Sequence, residues 1–190
     1  VPGTIGSLVA DSSTSTGLKW QAASSSGMTL IANTTLGTAA SSVTFSSISG
    51  SYQDLMVLIT GRTSSTSAAL QIEFNTDTAS NYYLVGSGRS GTAGESVNLY
   101  SSTAKGDMAL PNSSTDAKYV GACQIIIPKY AGTTLKKTAL FQNAGISGTD
   151  LFTRLINVSW DNTAAITEVK LLSSVGNFIA GSSFSLYGLG

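Results

Sequence analysis

Leu70-Gln71-Ile72-Glu73-Phe74 is the stretch on which the fold class turns. Its apolar residues fall at every second position, so in an extended chain Leu70, Ile72 and Phe74 leave one face and Gln71 and Glu73 the other. A helix would scatter the same residues around its axis. Strict alternation over five residues is the signature of a half-buried strand. The pattern recurs downstream. Leu155, Asn157 and Ser159 alternate with Ile156, Val158 and Trp160, and Phe184, Leu186 and Gly188 alternate with Ser185, Tyr187 and Leu189.

Outward from these segments, short apolar runs follow one another between clusters of Gly, Ser, Asn and Asp. The expected strands are Met28–Asn33, Val43–Ile48, Asp54–Thr60, Ala68–Asn75, Tyr82–Val85, Ser96–Tyr100, Tyr119–Ile127, Leu135–Asn143, Thr153–Trp160, Ile166–Ser173 and Ser183–Leu189. No window of helical length carries apolar residues at i, i+3, i+4 and i+7, and only a short helical turn is expected, at Thr78–Asn81. Many short strands with regular turn signals predict an all-β fold. Two sheets sharing one core, as an antiparallel jelly-roll-like β-sandwich, suit this pattern.

The chain has 190 residues, enough for one core with a short appendage. It is 42% hydrophobic but only 11% charged, against about 25% charged in an average domain. Ser, Thr, Asn and Gly must therefore supply most of the polar surface. No charged residue occurs between Lys19 and Asp54. Residues 1–26 are too poor in apolar side chains to form a core, and read as an extended shaft-end or linker segment ahead of a tip domain at 27–190. Leu8, Leu18 and Trp20 would be buried there only by winding identical chains about a common axis, or, for Trp20, against the main domain. The opening Val1-Pro2-Gly3 lacks an initiator Met and is expected to continue an upstream sequence. It carries no charged n-region followed by an apolar stretch, as a signal peptide would.

Formal net charge is zero. Without a basic block to neutralise phosphates, no nucleic-acid partner is expected. The longest apolar run, Leu55-Met56-Val57-Leu58-Ile59, is too short for a membrane-spanning helix, so no membrane insertion is expected. There is no histidine, which removes Ser-His-Asp and Cys-His catalysis and the commonest zinc ligand. The single cysteine, Cys123, lies in an apolar run and reads as a small buried hydrophobe. Glu73, Asp77 and Glu95 could form a carboxylate pair only if the fold brings them together, and as scattered acids they read as solvated. No catalytic residue, metal ligand or cofactor is expected.

Gly86-Ser87-Gly88-Arg89-Ser90-Gly91 fits G-x-G-x-x-G, but no helix follows to receive a pyrophosphate. Residues 86–94 read instead as a surface loop. The Asn-x-Ser/Thr triplets at Asn33, Asn112 and Asn157 are expected by chance in so Ser- and Thr-rich a chain. Lys129, Lys136 and Lys137, beside Pro128, are expected to guard an edge strand.

The phrase from Gly3 to Trp20 resembles a recurring sequence of bacteriophage tail fibres and minor tail proteins, carried best by Ala10-Asp11-Ser12 and Gly17-Leu18-Lys19-Trp20. In those proteins it closes a fibre shaft just ahead of a C-terminal domain. Phe74-Asn75-Thr76-Asp77-Thr78-Ala79-Ser80-Asn81-Tyr82 is similar to a turn of the same domains, and Asn177–Leu189 to their closing strand. The resemblance touches the start, middle and end of the chain. It implies a virion protein, commonly a homotrimer, joined to other virion proteins through its N-terminal segment. It implies no catalytic residues.

The expected function is attachment of a fibre tip to a host receptor, a cell-surface glycan, without catalysis. The first candidate surface is Asn75, Asp77, Asn81, Tyr82, Tyr83 and Arg89. Tyrosine offers a flat apolar face with a polar tip, and the short polar side chains could bind sugar hydroxyls. If this segment is a strand, one of the two tyrosines must face the core. The loops Ser113–Asp116 and Gly145–Asp150 are further candidates, and Trp160 reads as a core aromatic. A structural virion part, such as a head fibre, capsid decoration protein or baseplate component, stands as the alternative. A polysaccharide depolymerase would call for stacked β-helix repeats, and none are visible.

Overall fold

The computed structural model describes residues 6–10, 18–22, 27–65, 68–91, 96–103, 106–109, 119–147 and 150–190. Its strands, in chain order, are β1 (Gly6–Ala10), β2 (Leu18–Ala22), β3 (Met28–Thr35), β4 (Ser42–Phe45), β5 (Asp54–Gly61), β6 (Ala69–Phe74), β7 (Tyr82–Ser90), β8 (Ser96–Thr103), β9 (Gly106–Ala109), β10 (Gly121–Pro128), β11 (Lys137–Ser147), β12 (Asp150–Trp160), β13 (Val169–Ser173) and β14 (Ser183–Leu189). The described residues contain no helix, and every strand pairing is antiparallel.

An eight-stranded sheet runs in the order β3-β14-β5-β10-β11-β12-β7-β8, and a four-stranded sheet in the order β4-β13-β6-β9. Alternation along each strand decides which side chains enter the space between them. From the larger sheet come Val57 and Ile59 of β5, Ile125 of β10, Phe141 of β11, Val158 and Trp160 of β12, and Phe184 and Leu186 of β14. From the smaller come Val43 and Phe45 of β4, Leu70, Ile72 and Phe74 of β6, and Val169 and Leu171 of β13. All belong to one hydrophobic cluster. Each such side chain contributes about 1.5–3 kcal/mol by leaving water. Phe74 has no exposed surface, and its ring centroid lies 5.6 Å from that of Trp160 and 6.2 Å from that of Tyr82. Trp160 is thus a core aromatic, and Cys123 is buried as its apolar run predicts.

Several expectations need correction. Thr78–Asn81 is a bend without a helical turn, because Asp77 takes the Ala79 N–H and Ala79 O takes the Asn81 N–H. Residues 86–90 continue β7 and form no loop. Gly86 and Gly88 sit in register with Ile156 and Arg154 of β12. A Cβ at Gly86 would lie 2.7 Å from Ile156 Cγ1, and one at Gly88 would lie 2.6 Å from Arg154 Cγ and 2.7 Å from Thr153 O. The G-x-G spacing therefore leaves room on alternate positions of a strand for the side chains of its neighbour. Gly91, at φ 56, ends the strand in a turn. Of the other loop candidates, Gly145–Asp150 is mostly strand, since β11 runs to Ser147 and β12 starts at Asp150. Ser113–Asp116 lies outside the described residues.

The lysines near Pro128 do not guard an edge, because β10 and β11 are central strands. Lys137 is buried, and its Nζ donates to Leu135 O at 2.7 Å and Thr163 O at 3.1 Å. Burial holds its pKa below the usual lysine value. In the N-terminal segment, β1 and β2 pair antiparallel, with Leu8 opposite Trp20 and Ala10 opposite Leu18. This pairing falls within the segment 1–26 expected to be an extended shaft end or linker.

Candidate functional site

Three residues of the first candidate surface, Asn75, Asp77 and Asn81, lie in the turn between β6 and β7, and their side chains are hydrogen-bonded to the fold. Asn75 adopts a left-handed backbone, φ 51. Its Nδ2 donates to Ala165 O at 2.7 Å, and its Oδ1 accepts from the N–H groups of Thr167 at 2.8 Å and Glu168 at 3.0 Å. Asn75 thus ties the turn to the segment entering β13. Asp77 Oδ1 accepts from Ala79 N–H at 3.0 Å. Its Oδ2 accepts from Asn81 Nδ2 at 2.9 Å and Trp160 Nε1 at 2.7 Å. Burial opposes ionisation of this carboxyl, but the hydrogen bonds from Asn81, Trp160, Ala79 and Asn162 together outweigh it and hold the pKa below the ordinary aspartate value.

Tyr82 has no exposed surface. Its hydroxyl accepts from Phe74 N–H at 2.9 Å and donates to Asp77 O at 3.2 Å, and burial raises its pKa. It is therefore a core residue and no receptor contact. Asn75, Asp77, Asn81 and Tyr82 do come together, as a latch that closes the sandwich around Trp160. Tyr83 and Arg89 stand apart from them, exposed on the opposite face of β7. Six positions along one strand separate these two, about 20 Å, so the six expected residues make no single patch. Glu73 is also buried rather than solvated, 3.4 Å from Lys170, its register partner. Glu95 lies outside the described residues. No group of three or more metal-binding side chains occurs among the described residues.

The face shared by Tyr83 and Arg89 is the outer face of the eight-stranded sheet, and it is the better site. Strand register aligns its side chains in rows across the strands. One row is Val85, Asn157, Leu140, Ile126, Met56 and Tyr187. The next is Ser87, Leu155, Gln142, Gln124, Leu58 and Ser185. The third is Arg89, Thr153, Ala144, Ala122, Thr60 and Ser183. Across these rows Arg89 is the sole charged side chain.

Because Thr153, Ala144, Ala122 and Thr60 are short and the neighbouring row is tall, the surface dips along the third row. The depression there measures about 470 Å³. A second, of about 400 Å³, continues past Leu155 and Thr153 to Arg89. The trough crosses five strands, or about 19 Å at ordinary strand spacing. Amides of Gln124 and Gln142 and hydroxyls of Thr60 and Thr153 line it, with Leu58 and Leu155 as apolar walls and Arg89 and Arg154 at its β7–β12 end. Such a lining suits a hydroxylated ligand with apolar C–H faces. Beyond it, Val85, Leu140 and Leu155 surround a more apolar depression of about 230 Å³.

Only the alternation within each strand was available to point to this face, since the cross-strand rows depend on pairings between distant segments. Comparison with protein-family models, with curated proteins and with solved structures finds no match.

Proposed function

We propose that this chain is the end of a bacteriophage virion fibre. In this reading a shaft-end segment at 1–26 is followed by a jelly-roll-like tip at 27–190 that attaches the virion to a cell-surface glycan without catalysis. Successive strands pass back and forth between the two sheets, from β3 to β4, β5 to β6 and β13 to β14, which supports the jelly-roll-like description. The resemblance of residues 3–20 to fibre shaft ends supports the exterior, virion setting and a homotrimer joined through that segment. The observation that carries attachment is the trough, whose amides, hydroxyls and leucines, with Arg89 and Arg154 at one end, match the mixed polar and apolar faces of a sugar chain.

A structural virion part, such as a head fibre, decoration or baseplate protein, is the second reading. The exposed leucines beside the trough favour it, since leucine serves protein contacts better than sugar recognition. The test is binding of the full chain to immobilised bacterial surface polysaccharides, with Gln142→Ala and Thr153→Ala beside the wild type. Attachment predicts saturable binding to one polysaccharide, weakened by both substitutions at unchanged thermal stability. Absence of binding across the panel, or binding indifferent to both substitutions, overturns the glycan reading in favour of the structural one.

A further inference from the structure

We propose that the glycan held in the trough is acidic, and that the guanidinium of Arg89 receives its anionic group. This rests on the attachment reading and deepens it, because it names the class of polysaccharide that the same site selects. Arg89 is exposed and lines the β7–β12 end of the trough. It stands on the outer face, in one row with Thr153, Ala144, Ala122 and Thr60. No acidic side chain lines either depression. Among the described residues Arg89 enters no ion pair, whereas Lys136 is paired with Asp161 and Lys170 with Glu73. Arg154 borders the same end, and its Cζ lies 5.8 Å from the centroid of the Phe152 ring. Thr153 belongs to the outer row, so by alternation its neighbours Phe152 and Arg154 leave the sheet on the reverse face. Arg154 thus adds positive charge behind this end, and Arg89 is the group placed to make the contact.

Charge and its placement select the occupant. A guanidinium presents paired N–H donors in one plane, which match the oxygens of a carboxylate or a phosphate. The rest of the trough offers only the neutral groups of Gln124, Gln142, Thr60 and Thr153 and the walls of Leu58 and Leu155. The polysaccharide that fits therefore carries one anionic group among neutral sugars. A dense polyanion would lay most of its charges over amides and leucines, where nothing compensates them. The zero net charge of the chain supplies no long-range attraction to polyanions either. Recognition of the acid is local and set by Arg89.

The test places the full chain on immobilised bacterial surface polysaccharides of three kinds, neutral, with a single uronate per repeat, and with a single phosphate substituent per repeat. Heparin serves as the dense polyanion. Binding is expected to a polysaccharide of one of the two acidic kinds, and more tightly than to heparin. Reducing the uronate to the neutral hexose, or removing the phosphate with hydrofluoric acid, should weaken that binding by about tenfold or more. The treatment that succeeds tells carboxylate from phosphate. Arg89→Gln should cause the same loss on the untreated polysaccharide and no further loss on the treated one, and Arg89→Lys should restore part of it. Gln142→Ala should weaken binding to both forms. Far-UV circular dichroism confirms that each variant is folded. Binding to a neutral polysaccharide, a preference for heparin, or binding indifferent to the treatment and to Arg89→Gln overturns the acidic assignment and leaves glycan attachment standing. A loss in Arg89→Gln without one in Gln142→Ala puts the anion outside the trough and also overturns it. Absence of binding across the panel removes the attachment reading itself, and this inference with it.

Discussion

Replacing Asp77 by alanine tests the claim that the turn after β6 is a structural latch. The substitution deletes the acceptor for Ala79 N–H, Asn81 Nδ2 and Trp160 Nε1. Ala79 is exposed and Asn81 half-buried, so water can replace much of what those two donors lose. Trp160 is 1% exposed, and its indole N–H would be left buried without an acceptor. A stranded buried donor costs about 1–3 kcal/mol, and each lost charge-assisted bond about 1.5 kcal/mol before water compensates. The sum is about 3 kcal/mol. At a urea dependence of about 2 kcal/mol per molar for a domain of this size, the unfolding midpoint falls by about 1.5 M. Asp77→Asn keeps one acceptor oxygen and should lose roughly half as much.

The same latch has a pH signature. The folded pKa of Asp77 lies below the ordinary 3.8, so the unfolded chain takes up the proton first as pH falls. Stability from this group is therefore complete above about pH 4–5 and is lost as pH falls through the folded pKa. Urea titrations of wild type and Asp77→Ala, at neutral pH and at acid pH, should show the difference between them narrowing in acid. A loss under about 0.5 kcal/mol at neutral pH, the size of an ordinary surface substitution, would refute the latch. So would a difference that does not change with pH. A double-mutant cycle with Trp160→Phe should return a coupling of about 1 kcal/mol or more.

Gly88→Ala would press a methyl group against Arg154 Cγ and Thr153 O, and is expected to cost about 1–3 kcal/mol in denaturant unfolding. If residues 86–91 formed a surface loop, the substitution would be nearly neutral. Phe74→Ala should remove about 3–5 kcal/mol, since it opens a cavity beside Trp160 and Tyr82. A thermal midpoint within a few degrees of wild type would count against the shared core. Cys123 is 3% exposed, and burial pushes its thiol up to about 12 from 9.0. The native chain should therefore react with a thiol reagent at neutral pH only as fast as it opens, and rapid labelling without denaturant would contradict its burial. Its folded pKa is the higher one, so its stabilising contribution is present below about pH 9 and fades as pH rises toward 12.

Most of the strands could be read from their own residues, because a strand advertises which of its faces is buried. Each segment expected from Met28 onward overlaps a strand of the structure. The misses have local causes. Gly86 and Gly88 read as loop because glycine carries no alternation, yet they are the empty positions opposite Ile156 and Arg154. Gly106-Asp107-Met108-Ala109 was passed over because it has one large apolar side chain, and it forms a strand because β6 offers it an edge. The candidate site was only half legible. The close spacing of Asn75, Asp77, Asn81 and Tyr82 marked them as acting together, but Tyr82 is buried, and the other three are half-buried and hydrogen-bonded to the fold.

By itself the sequence determined that the chain is built of strands, that histidine chemistry is absent, and that Phe74, Cys123 and Trp160 face inward. Period-2 alternation and composition are local properties, and they suffice for that. Only the tertiary structure decided which sheet each strand joins and what the polar groups do. Asp77 meets Trp160 across 83 residues and Asn75 meets Ala165 across 90. The trough likewise exists only where β5, β10, β11 and β12 lie side by side with Thr60, Ala122, Ala144 and Thr153 in one row and β7 closes it with Arg89. Partners and surfaces of that kind depend on register between distant segments, and register is set by how both faces pack at once.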